Sequence, residues 1–396
     1  MVKRATGQFW GNVEINGVNL STMLCIDSDA PDEFMLHILE DGNDRAVLAI
    51  ASSEGELLRL TPKFLYRHAQ DGSWLLPALN EQEVKEMRET SALLAVTAAG
   101  YEGRWIGPDD RGGAISFSLN DKDDRVIAEY CETWDDFKSW VTTLRRNNGA
   151  AIYRGNGNNQ FRLETTLSRA GRNRIERYCA ETVPQFRNHT EALLSTRFDK
   201  TSADDFSTVL GLAQHHGLPT PLLDWTASPY VAAFFAFTDA LDARRDPQEH
   251  SHVRIFALTN EFVELTTQPI VTLPRVRPYV ASLSISARSN PRLYAQQGQF
   301  LVSNVSAMED FVRHVERAAQ KRVLFAADIP TEAACDVLED LTFMGLTAAT
   351  MFPGLDGICK MMRHEMSFKR RAQHAAPNVP SPPLSLEEPQ QPKAAE

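Results

Sequence analysis

Apolar and polar residues alternate with period two through the first third of the chain. Val13 and Ile15 alternate with polar neighbours ahead of Asn16-Gly17, a dipeptide suited to the two positive-φ positions of a tight hairpin. Asp41-Gly42 separates apolar runs at 35–39 and 47–50, and Asp71-Gly72 separates 64–66 from 74–76, so two more hairpins are predicted. A helix is predicted over 81–96. Strands follow at 105–106 and in the alternating run Ala114-Ile115-Ser116-Phe117-Ser118-Leu119. Gly7-Gln8-Phe9-Trp10-Gly11 and Gly103-Arg104-Trp105-Ile106-Gly107 share a glycine-aromatic-glycine pattern. It is either an internal echo or the mark of tight strands that need small residues. Residues 1–120 are expected to form a small β-barrel or sandwich, and nothing in them points to chemistry.

Beyond residue 120 helical and strand patterns mix. Thr133-Trp134-Asp135-Asp136 reads as the capped start of a helix over 133–145. Ala151-Ile152-Tyr153-Arg154 reads as a buried strand running into the loop Gly155-Asn156-Gly157-Asn158-Asn159. Residues 171–200 are helical and Arg-rich, and a helix over 204–216 ends at Gly217 and Pro219. A strand over 222–225 leads to Ser228, which caps a helix with Pro229 at its first position. Residues 230–241 are apolar nearly all round, so that helix should be buried. A strand over 253–258, a turn and strand over 290–302, a helix over 309–320, a strand over 322–329 and a helix over 331–344 complete an α+β unit spanning 121–372. The Pro-rich polar residues 373–396 read as a disordered tail.

Charge narrows the function classes. A net charge of −11 argues against a surface built as a whole for nucleic acid. Residues 145–197 depart from that balance, with ten Arg, no Lys and four Glu. Such a segment suits forked contact with phosphate or carboxylate, or is a solvated face with scattered ion pairs. The five cysteines are dispersed and form no CxxC pair. That fits reduced thiols in a cytoplasmic protein, without a zinc knuckle or a disulfide framework. The N-terminal MVKRATGQFW has no secretory apolar region, and no run approaches a membrane span.

Candidate chemistry concentrates in the sixteen residues from Gln214 to Pro229. Arg154, between a strand and a glycine-rich loop, is either a phosphate clamp or a structural Arg bonded to loop carbonyls. His215 and His216 diverge by about 100° on a helix, so at most one faces a given site. That one contacts a ligand or Asp224, or else satisfies the last carbonyls of the helix, whose field favours a protonated imidazole. Asp224 is a general base, a ribose acceptor, or an anchor for Arg154 and His215. Thr226 and Ser228 could order a ribose, although helix capping explains Ser228 more cheaply. Tyr153 and Trp225 could stack a planar base or simply be core. Gln296, Gln297 and Gln299 are expected to alternate on a strand, with Gln297 and Gln299 sharing a face for polar readout.

Three of these segments carry a resemblance. Tyr153-Arg154-Gly155, the run Gln214-His215-His216-Gly217-Leu218-Pro219-Thr220-Pro221-Leu222-Leu223-Asp224-Trp225-Thr226, and Gln296-Gln297-Gly298-Gln299-Phe300 together resemble the FRG domain, named for an aromatic-Arg-Gly signature. Tyr153 stands where the signature has Phe. Met351-Phe352-Pro353-Gly354-Leu355-Asp356-Gly357 fits the family's C-terminal end, so the resemblance spans about 130–370. A more distant similarity is to ADP-ribosyltransferases, which use a strand Arg, then a Ser/Thr strand entering a Val-Ala-x-x-Phe-Ala helix, then a catalytic Glu. Arg154, Trp225-Thr226-Ala227-Ser228 and Val231-Ala232-Ala233-Phe234-Phe235-Ala236 follow that order. Gln296, Gln297 and Gln299 stand where the Glu belongs, so transfer chemistry requires another acid.

The resemblance implies a mixed-sheet α+β domain that binds a nucleotide, NAD foremost, and breaks its N-glycosidic bond by ADP-ribosyl transfer or hydrolysis. His215, Asp224 and Gln297 would serve catalysis. Tyr153, Arg154, Gly155, Gln214, Trp225, Thr226, Gln296 and Gln299 would bind the ligand. No metal is implied. The N-terminal domain would recognise a macromolecular target, in the manner of bacterial toxins and defence effectors. Two rival readings remain: a non-catalytic nucleotide or nucleic-acid module using the Arg-rich segment, and an interaction scaffold.

Overall fold

The computed structural model describes residues 4–69, 74–119, 124–243, 251–266, 273–285 and 291–375. The protein is α+β, with an antiparallel barrel followed by a mixed sheet covered by helices.

The barrel comprises β1 (Gly7–Ile15), β2 (Val18–Ile26), β3 (Glu33–Leu39), β4 (Arg45–Glu54), β5 (Leu57–His68), β6 (Trp74–Leu75), β7 (Ser91–Val96), β8 (Gly100–Ile106) and β9 (Gly112–Leu119). The order β4-β3-β2-β1-β9-β8-β7-β5 closes through pairing of β4 with β5, and β6 is appended to β5. Closure leaves the eight strands without an edge and decides barrel over sandwich. Asn16 and Gly17 adopt φ of 53° and 75°, the hairpin geometry these two residue types tolerate best. The Asp71-Gly72 turn lies outside the described residues. The glycine-aromatic-glycine segments prove to be tight strands. A Cβ on Gly11 would lie 1.7 Å from Ser116 O, and one on Gly103 would lie 1.9 Å from Leu93 O.

The helix predicted over 81–96 is corrected. It ends at Glu89, and Ser91–Val96 is β7, paired with β5 and β8. Ala and Leu favour a helix locally, but the ladder positions and the barrel core claim them, as Ala92 and Leu94 are buried inside it.

The second sheet contains β10 (Glu129–Tyr130), β11 (Ala150–Asn156), β12 (Leu222–Thr226), β13 (His252–Thr259), β14 (Val280–Leu283), β15 (Gly298–Ser303) and β16 (Leu324–Pro330). Their order is β10-β16-β13-β11-β12-β15-β14, with β10 parallel to β16 and the other pairs antiparallel. Alternate residues separate two cores. Val253, Ile255 and Ala257 face the helices Trp134–Asn148 and Pro229–Ala243, whereas Phe256 and Leu258 face Met308–Ala319. Thr133 caps the first of these helices through a reciprocal bond with Asp136. In Pro229–Ala243, Val231, Ala233 and Phe237 are fully buried, as an all-round apolar sequence requires. Helix Leu355–Ala375 carries regular structure into 373–375, where a disordered tail was expected to begin, and 376–396 lie outside the described residues. Among the described residues no helix is long and apolar enough to cross a membrane.

The outward faces of β2, β3 and β4 dock on the second domain. Met23, Cys25, Met35, Ala46 and Leu48 form a cluster with the fully buried Val276. Asp27, 1% exposed, accepts from the backbone amides of Asn173 (2.6 Å) and Arg174 (3.0 Å). Arg172 pairs with Asp29 at 2.5 Å, Arg174 with Glu33 and Glu176, and Arg177 with Asp27 and Asp29. Three of the ten arginines of the Arg-rich segment therefore form an interdomain clasp. Gln8 donates to Asn304 O at 2.8 Å, and His37 Nδ1 lies 2.9 Å from Val276 O.

Candidate functional site

Strands β11 and β12 pair only at Tyr153 and Thr226. A cleft of about 850 Å3 opens at this junction, bounded by helices Ala203–His215 and Pro229–Ala243 and by the segments around Glu164, Gln296 and Phe352. Nine of the eleven residues singled out from the sequence line it: Tyr153, Arg154, Gly155, Gln214, His215, Asp224, Trp225, Thr226 and Gln296.

Arg154 Nη1 donates to the backbone oxygen of Asp224 at 2.6 Å. Its Nε is buried and finds no acceptor among the described residues. Desolvation pulls the guanidinium pKa below its ordinary value, against the opposing charge of Asp224. A buried Nε–H without an acceptor is a costly arrangement for an Arg that serves packing alone. Gly155 has a structural reason instead. A Cβ there would stand 2.0 Å from Ala232 O, so glycine lets β11 approach the helix Pro229–Ala243.

Asp224 is exposed to the cleft, and its Oδ2 accepts from Gln214 Nε2 at 2.8 Å. Gln214 is itself oriented by the Thr220 hydroxyl, which donates to its Oε1. The Gln-to-Asp spacing of the motif thus builds a relay that fixes a carboxylate. Asp224 anchors Arg154 through its backbone oxygen, which leaves the carboxylate to the cleft.

His215 ends its helix and is partly exposed, while His216 is exposed and lies outside the cleft lining. Burial, followed by the charge of Arg292 and by His216, pushes the His215 pKa below 6.5, with Asp224 opposing. Desolvation and a neighbouring cation thus work against the protonated imidazole expected from the helix end.

Several other expectations change. Tyr153 and Trp225 are 2% and 3% exposed and belong to the two cores, so neither offers a ring face for stacking. Thr226 Oγ1 donates to Gln296 O at 2.7 Å and accepts from Ser228 N at 3.1 Å, which engages it in the scaffold. Ser228 Oγ accepts from Val231 N at 3.3 Å, the capping role. The glutamines do not alternate on a strand, because β15 begins at Gly298 and the two before it form a turn. Gln297 adopts a left-handed φ of 49° and contributes its backbone oxygen to Ala227 N. Gln299 lies opposite Trp225, out of phase with the cleft-lining Phe300, and neither Gln297 nor Gln299 lines the cleft. Gln296 lines it and ties Met351 O with its side-chain amide at 3.0 Å.

The cleft also holds residues that the motifs did not reveal. Glu164 lies within it, and burial raises its pKa above 4.5, opposed by a bond from Ser168 and by Arg169 and Arg162. Asp239 and Asp242 enter from helix Pro229–Ala243, where they are the sole charged residues. Two acids on an otherwise apolar helix were a readable signal. Phe235 and Phe352, 5.8 Å apart edge to face, supply aromatic lining, with Arg292 5.6 Å from the Phe352 ring. Lys360 pairs with Asp242 at 2.9 Å. Among the described residues no group of three or more His, Cys, Asp or Glu could hold a metal ion.

Residues 149–245 match the FRG domain family. No curated protein and no solved structure matches the chain. The matched residues contain Arg154, Glu164, Gln214, His215 and Asp224, whereas the Gln296 segment lies beyond them. The aromatic-Arg-Gly triplet and the Gln-His to Asp-Trp-Thr run thus meet at one cleft inside the matched region, and the chain is an FRG domain protein.

Proposed function

We propose that the cleft binds a nucleotide, with NAD as the ligand of choice, and breaks its N-glycosidic bond, passing ADP-ribose to water or to a target nucleophile. The observation that carries this reading is the presence in one cleft of Arg154, with an unused buried donor, and Glu164, whose carboxyl is raised by burial. The ADP-ribosyltransferase likeness lacks its strand Glu. Glu164, reaching the cleft from the segment after β11, supplies an acid in its place.

Arg154 holds a phosphate through its guanidinium, and Phe235 and Phe352 offer the apolar surface for a planar base. Asp224, oriented by Gln214, places negative charge beside the sugar as the C–N bond breaks and its electron pair stays with the leaving base. Glu164 takes the proton of the attacking water or acceptor hydroxyl as the new C–O bond forms. A pKa raised toward the working pH strengthens it as a base. NAD consumption of this kind would suit a toxin or defence effector. The nucleic-acid alternative has less to rest on, since Arg172, Arg174 and Arg177 are engaged with the barrel.

Titration calorimetry with ADP-ribose tests the binding half of the proposal. The expected result is saturable binding weakened roughly tenfold to a hundredfold in Arg154→Ala, by loss of a charge-assisted contact. Absence of binding to the unaltered protein would overturn the reading.

A further inference from the structure

The barrel is packed at one end and hollow at the other. At the packed end Tyr101 meets the rings of Phe9 and Phe34 edge-on, with centroids 5.4 and 5.2 Å away. Its hydroxyl donates to Ala5 O at 2.5 Å, which closes that end. At the other end lies a cavity of about 270 Å3 between Val13, Leu36, Val47, Leu60 and Ile115. The small residues Ala49 and Ala92 also point inward there, and they are what leaves the space.

Packed interiors leave few voids larger than a water molecule, and an eight-stranded barrel has room either for its own side chains or for one small ligand. Water suits this space poorly, since it needs two to four polar partners and the walls are mainly aliphatic and aromatic. The charged residues along the lining are already matched. Arg45 pairs with Glu40, and Arg111 lies 3.5 Å from Glu86. Trp105, also in the lining, spends its indole N–H on Glu14 O at 2.7 Å. A charged ligand would find no unneutralised partner, whereas an apolar one would gain contact with mainly aliphatic and aromatic walls.

We propose that the barrel lumen is a binding site for a small, neutral, apolar molecule, independent of the nucleotide cleft. The probe is 1-aminoanthracene, neutral and fluorescent in apolar surroundings, added to the full chain. Expected are a saturable rise in emission at one probe per chain and methyl NMR shifts at Val13, Leu36, Val47, Leu60 and Ile115. Ala49→Leu and Ala92→Leu, which fill the lumen, should weaken binding at least tenfold, and Arg154→Ala should leave it unchanged. No saturable emission would overturn the proposal, as would methyl shifts confined to other residues or equal affinity in a folded lumen-filled variant. Should neither filled variant fold, the methyl shifts of the unaltered protein decide.

Discussion

Arg154 is one guanidinium serving two surfaces. Its Nη1 bond to Asp224 O spans the point where β11 and β12 part, and its Nε faces no protein acceptor among the described residues. A lysine has one point charge and cannot supply both contacts. Arg154→Lys is therefore expected to bind ADP-ribose nearly as weakly as Arg154→Ala, as calorimetry would show. Glu164 makes a different prediction. Its folded pKa lies above 4.5, so the folded state holds the proton more tightly than the unfolded chain and ionisation costs stability as pH rises. Glu164→Gln should cut turnover about a hundredfold or more while leaving the melting temperature at pH 7 unchanged or higher. In the unaltered protein the rate should fall as pH drops through a value above 4.5, and that limb should vanish in the variant. At this scale Gln214, His215 and Asp224 were legible because they sit in a dense motif of polar and turn residues, and Arg154 because it stands between a strand and a glycine-rich loop. Glu164 was not, because a loop acid carries no periodicity and only the folded chain shows where it is buried. The glutamines were misplaced because their alternation presumed a strand two residues longer than the one that forms.

Elements were most legible where a single residue type sets the backbone. Asn16-Gly17 and the Thr133 cap needed no tertiary information. Ser91–Val96 needed it, since its Ala and Leu residues are placed by ladders on both sides. The same distinction separates two glycines beside the cleft. Gly217 closes helix Ala203–His215 at φ 80° with open space around it, so Gly217→Ala should cost only conformational strain, about 1 kcal/mol by urea denaturation. Gly155 is in contact with the carbonyl of Ala232, and Gly155→Ala must push β11 off the helix Pro229–Ala243. The expected loss is about 2 kcal/mol or more, by the same measurement, because backbone rather than a side chain must move. Equal costs at the two positions would contradict this account of the signature glycine.

Across the whole molecule, the barrel and the FRG domain are joined through buried polar contacts as well as apolar ones. Asp27→Ala would leave two backbone amides at the interface without their acceptor, while Arg177 keeps Asp29, and a loss of about 3 kcal/mol is expected in denaturant titrations. His37 makes the interface sensitive to acid. Burial lowers its pKa from 6.5 to about 4, outweighing the bond to Val276 O, so the folded state holds this proton less tightly than the unfolded chain. Its contribution is complete above pH 6.5 and lost as pH falls toward 4, up to about 3 kcal/mol. His37→Gln should flatten the stability profile in that window. None of these cross-domain contacts was legible in the sequence, because the Arg-rich segment and its acidic partners lie more than a hundred residues apart. The central claim, that this cleft breaks an N-glycosidic bond with Glu164 as its base, is tested most directly by nicotinamide release from NAD by the full chain, alone and with candidate protein or nucleic-acid acceptors. Release by the unaltered protein, reduced about a hundredfold in a folded Glu164→Gln variant, is the predicted result. No release under any of these conditions, or equal release by the variant, would contradict it.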